Sequence, residues 1–89
     1  MTGTTWRRDP RVLWRRTGHR VVLVAPGRED QIMLDGTGSV TWQLLEEPTA
    51  QQELSVLLAE AFDVDLATVD AEVGPFLQEL EALEVVLRS

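Results

Sequence analysis

The sequence predicts an α+β fold: a three-stranded antiparallel sheet followed by three helices. Two observations carry this. Apolar residues recur with strand-like character over three short runs before position 35, and after Asp35-Gly36 their period changes from two to about 3.6. A third, 89 residues without a cysteine, confines the chain to one domain whose core must come from its 44% hydrophobic residues.

The first eight or nine residues are expected to form a mobile arm, so that 1–11 is a flexible arginine-rich arm and 12–88 the domain. Val12-Leu13-Trp14-Arg15-Arg16 and Arg20-Val21-Val22-Leu23-Val24-Ala25 are rich in β-branched and aromatic residues. Thr17-Gly18-His19 between them reads as a hairpin link. Pro26-Gly27 stops the second run, because proline presets φ and glycine supplies a positive one. Gln31-Ile32-Met33-Leu34 is a short third strand, with Ile32 and Leu34 on one face and Gln31 and Met33 on the other.

The first helix is predicted from roughly Thr37 to Glu46, with Val40, Leu44 and Leu45 on one face and Pro48 ending it. The second opens on Thr49-x-x-Gln52, a capping-box pattern, and its stripe is Leu54, Leu57, Leu58, Ala61 and Phe62. The third starts near Asp65 as N-cap. Its stripe is Leu66, Val69, Val73, Phe76, Leu77, Leu80 and Leu83, and Gly74-Pro75 inside it predicts a kink or break.

The net charge of −7 is unevenly spread. Residues 1–28 hold seven arginines against Asp9, a net +6, and residues 29–89 hold fourteen carboxylates against Arg88, a net −13. The acidic body repels a nucleic-acid backbone, whereas the arginine-rich head attracts one locally. No run approaches a membrane span, and the N-terminus lacks the apolar stretch of a signal peptide. A soluble, cytoplasmic protein is the expectation.

Catalytic chemistry has little to draw on. There is no cysteine or tyrosine, the one histidine, His19, lies in the hairpin link, and Ser39, Ser55 and Ser89 are scattered. Asp63-Val64-Asp65 resembles a pair of metal-binding carboxylates but has no further ligands around it. Gly36-Thr37-Gly38 lacks the rest of a phosphate-binding loop. No enzyme activity, metal or cofactor is expected.

From Val21 to Val86 the chain resembles the PqqD-like family of leader-peptide-binding domains, the recognition elements of ribosomally made, post-translationally modified peptides. The residues that carry the resemblance are the strand Val21 to Val24, Leu34-Asp35-Gly36-Thr37 at a helix start, and Val40, Trp42, Leu44 and Leu45 within that helix. Pro48-Thr49, Leu54, Leu57, Leu58 and Ala59, then Phe62-x-Val64, Val69, Val73, Phe76-Leu77 and Leu80 follow in the family's order. Asp35, Gly38, Pro75 and Glu84-Val85-Val86 depart from its common pattern.

The resemblance implies a winged-helix-like fold and a non-catalytic chaperone. A precursor's leader segment adds as a strand beside the third strand, in a groove walled by the third helix, and is delivered to a radical enzyme, a protease or a cyclase. Carried onto this sequence, Gln31, Ile32, Met33 and Leu34 are the strand partner, and Val69, Asp70, Val73, Phe76 and Leu77 the groove wall. Asp70 and Glu72 read either as a solvated face that favours the helix N-terminus or as the selectors of a leader carrying Lys or Arg. The rival readings are a winged-helix DNA-binding protein using Arg7, Arg8, Arg11, Arg15 and Arg16, and a bare assembly module. The arginines would otherwise meet an acidic partner enzyme or a second copy in a homodimer.

Overall fold

A computed structural model describes residues 3–89. In chain order the elements are β1 (Thr5–Arg8), β2 (Leu13–Thr17), β3 (Arg20–Val24), β4 (Gln31–Leu34), α1 (Gly36–Leu44), β5 (Thr49–Ala50), α2 (Gln51–Phe62), α3 (Leu66–Ala82) and β6 (Val86–Arg88). The class is α+β, as the change of period requires.

The three period-two runs pair as one antiparallel sheet in the order β2-β3-β4. The β2–β3 turn is two residues long, and Gly18 there takes φ +62, a positive value that suits the tight hairpin turn. Register then sorts side chains by face. Trp14, Leu23 and Ile32 form one inner row, and Arg16, Val21 and Leu34 the next. Val21 and Leu23 are completely buried, and Leu34 nearly so. The outer rows are Leu13-Val24-Gln31 and Arg15-Val22-Met33.

The helices cover the inner face. Trp42 and Leu45 from the α1 end, Leu54 and Leu58 from α2, and Val73, Leu77 and Leu80 from α3 join β3 in a single core with Trp6, Val85 and Val86. Ser55, also buried, donates from Oγ to Asp70 Oδ1 at 2.8 Å and ties α2 to α3.

The expected arm is not an arm over Thr5–Arg8. Those residues form β1, the centre of a second antiparallel sheet, β5-β1-β6. Trp6 anchors it: the indole is 1% exposed, and its Nε1 donates to Gln51 Oε1 at 2.9 Å. The Arg88 guanidinium lies 4.7 Å from the Trp6 ring centre. Burying one indole outweighs the polar character of its neighbours.

Arg8 makes the second tie. Its guanidinium lies against both Trp14 and Trp42, 4.6 and 4.9 Å from their ring centres, beside the edge-to-face contact the two indoles make at 5.9 Å, and its Nη2 donates to Trp42 O. That carbonyl belongs to the last turn of α1, the end of a helix that attracts a cation. Burial lowers the Arg8 pKa from its ordinary value, an effect that Glu46 partly opposes.

Three local expectations are corrected. Thr49 forms no capping box; the α2 N-cap is Ala50, and the Thr49 hydroxyl donates back to Glu47 O at 2.9 Å. Asp65 occupies the α3 N-cap position, but its side chain accepts no capping bond. Pro75 does not break α3, which runs unbroken through it. Pro75 is exposed, so water can reach the carbonyl it leaves unpaired, and Gly74 has no Cβ to clash with the proline ring.

Candidate functional site

In the β2-β3-β4 sheet, β4 pairs with β3 on one side, and no strand among the described residues pairs with its other side. An edge strand of this kind presents unpaired backbone N–H and C=O groups. Beyond its C-terminal end lies a cavity of about 420 Å³. Thr37, Gly38 and Thr41 of α1 form one wall, Leu58 and Phe62 of α2 with Val64 another, and Thr68, Val69, Glu72, Val73 and Phe76 of α3 the third.

Local sequence explains why the three walls converge. Asp35 caps α1, its Oδ1 accepting from Gly36 N at 2.8 Å, so the helix begins two residues after β4 ends. Gly38 then lets the ring of Phe76 come in. A Cβ at position 38 would lie 3.1 Å from Phe76 Cζ and 3.7 Å from Leu34 Cβ. Asp63, at φ 52, ends α2 in the left-handed conformation and turns the chain so that Val64 completes the rim.

The cavity is apolar with polar fittings. The Thr41 hydroxyl is committed to Thr37 O at 2.7 Å, and Glu72 is the only ionisable residue of the lining. Neither His19 nor any serine lines it. Such a site can hold one or two apolar side chains and pair one cation; it has no activated nucleophile.

The residues expected from sequence are distributed unequally. Ile32 and Leu34 face inward, Leu34 against the cavity's α1 wall, whereas Gln31 and Met33 face outward from the sheet. Val69, Val73 and Phe76 line the cavity. Asp70 does not. It bonds Ser55 and lines a separate recess with Gln51 and Leu66. Leu77 is wholly buried in the core and offers no surface to a guest. Sequence reasoning missed Thr37, Gly38 and Thr41, and took Phe62 for core although it is 40% exposed. Phe62 and Val64 are exposed apolar residues on the cavity rim, an exposure that the helical stripe does not announce.

Comparison with known proteins bears on the family and the fold. The family model described as Coenzyme PQQ synthesis protein D (PqqD) matches residues 20–86. No curated protein matches the chain. Among solved structures, TbiB1 in complex with the TbiA(beta) leader peptide is similar, with a TM-score of 0.82 and 28% identity over 90% of this chain and 93% of that one. The PqqD truncation of Methylobacterium extorquens PqqCD, described as a functional and stand-alone recognition element for ribosomally synthesised and post-translationally modified peptides, is similar in fold. Its TM-score is 0.75, with 24% identity over 93% of this chain and 88% of that one.

Proposed function

Because the chain belongs to the PqqD family, we propose that it is a non-catalytic recognition domain. It takes the leader segment of a ribosomally made precursor as an added strand along β4 and presents it to a separate peptide-modifying enzyme. The observation that carries the reading is the unpaired edge of β4 beside an apolar cavity with one carboxylate. TbiB1, similar along nearly its whole length, is a protein complexed with a leader peptide.

The energetics suit capture and release. Strand addition gives four to six backbone hydrogen bonds at about 0.5–1.5 kcal/mol net each. Two or three apolar anchors add about 1.5–3 kcal/mol each. Ordering the peptide costs about 2–5 kcal/mol, which leaves an affinity of roughly micromolar to nanomolar. No chemical step is required. The DNA-binding rival fares badly, since neither α2 nor α3 contains a Lys or Arg to read a groove. Among the described residues, no helix is long and apolar enough to cross a membrane.

The test is titration of a synthetic leader peptide, taken from the precursor gene adjoining this one, into isotope-labelled protein. Measurable heat should accompany amide shifts over Gln31–Leu34 and around Glu72–Phe76. Absence of binding, or shifts confined to β2, would overturn the reading.

A further inference from the structure

The sheet has two edges, and the proposed function uses one. The other, β2, is unlike an ordinary solvent-facing strand. All five of its residues are exposed, Leu13 to 72% and Trp14 to 43%. Behind it the outer sheet face carries Val22, Val24 and the exposed Met33, where an antiparallel sheet normally turns polar residues to water. Leu13, Trp14, Val22 and Val24 line a shallow concavity of about 200 Å³ on this side. Arg15 flanks the apolar row on the outer face, and Arg16 follows it along the same edge strand with its side chain on the inner face. Arg15 and Arg16 form no ion pair among the described residues, whereas Arg11, Arg20, Arg28 and Arg88 each face a carboxylate.

We propose that β2 and the outer sheet face dock the peptide-modifying enzyme, which meets them with an apolar projection ringed by carboxylates. This rests on the reading above, in which a separate enzyme must be engaged while β4 is occupied. Strands lie about 4.8 Å apart, so the two edges are separated by about 10 Å and both can be filled at once. Charge complementarity selects the occupant. A second copy is disfavoured, because symmetric pairing of β2 with β2 sets arginine against arginine. A second copy's acidic helices would match the charge, but they carry the cavity and would be covered. A nucleic acid would satisfy the arginines and gain nothing from Leu13, Val22 and Met33.

The experiment offers isotope-labelled protein the purified modifying enzyme encoded beside it, the precursor's leader peptide, and a short random-sequence DNA duplex. The enzyme should broaden amides of Leu13–Thr17 whether or not the leader is bound. The double variant R15E/R16E, altered on exposed side chains, should weaken enzyme binding at least about tenfold and leave leader affinity within about twofold. Its circular dichroism should match that of the parent. Unchanged enzyme binding by the variant overturns the proposal. So does preferential binding of the duplex to β2, or self-association of the free protein that the variant abolishes. Failure of the leader to bind, by contrast, removes the recognition function itself.

Discussion

Gly38 shows how a single missing methyl shapes the candidate groove. Substituting alanine in a helix interior ordinarily gains about 0.5–1 kcal/mol, and less in a first turn, where Gly38 stands. Here the new Cβ would meet Phe76 Cζ at 3.1 Å, closer than carbon atoms prefer. Phe76 is half-buried at the cavity wall, so the ring can swing, but only into the space a guest side chain would use. Gly38→Ala should therefore leave the melting temperature unchanged or raised while weakening leader binding about tenfold, a cost of about 1.4 kcal/mol. An unaltered affinity in the same titration would take Phe76 out of the peptide's path. Arg8 makes the opposite case, a charged residue whose work is structural. Its two indole contacts and its bonds to the α1 terminus suggest a loss of about 2 kcal/mol for Arg8→Ala. Arg7→Ala, one residue away on the exposed side of β1, should stay within about 0.5 kcal/mol of the parent. Urea midpoints at constant m compare them, and equal midpoints would refute the indole contacts of Arg8 as stabilising.

At the level of elements, the chain is held by a strand that its sequence conceals. β1 is Thr-Trp-Arg-Arg, with one apolar residue in four, and it pairs with partners more than forty positions away. No local pattern announces such a strand, and β5 and β6, two and three residues long, are equally silent. By contrast β2, β3 and β4 were legible because alternation and turn chemistry are local, and their observed bounds differ from the expected ones by at most one residue at either end. The site divides the same way. Val73 and Phe76 could be named from the α3 stripe, but that stripe could not tell Leu77, which is core, from Phe76, which lines the cavity. Which end of a stripe is covered depends on where α1 and α2 lie, and that is tertiary information. The weight of β1 can be measured. Trp6→Ala should cost about 3–5 kcal/mol, enough to unfold a domain this small, while Trp6→Phe should retain the fold with a lower melting temperature. A fully stable Trp6→Ala protein would mean that the second sheet is dispensable.

Over the whole molecule, stability against pH should reflect two opposed carboxylate populations. Most of the fourteen acids beyond residue 28 lie on exposed positions, and their mutual repulsion works against the compact state at neutral pH. Asp9 behaves differently. It is 2% exposed, and its carboxylate accepts the Arg11 side chain at 2.8 and 3.1 Å and the Arg11 backbone N–H at 2.9 Å. The Arg11 side-chain bonds foremost, then the backbone bond, hold its pKa below the ordinary carboxylate value. A carboxylate depressed in the folded state stabilises fully above the unfolded value of about 3.9, and loses that contribution as pH falls from there toward the folded value. Acidification should thus leave stability level or slightly improved down to about pH 5, as surface repulsion relaxes, and erode it below about pH 4. Asp9→Asn separates the two effects, because it removes the buried charge and leaves the surface acids in place. Urea unfolding of parent and variant should show a constant difference between pH 7 and about 5 that shrinks by about pH 3. A difference still undiminished at the lowest pH would mean that the Asp9–Arg11 pair is not what acid removes.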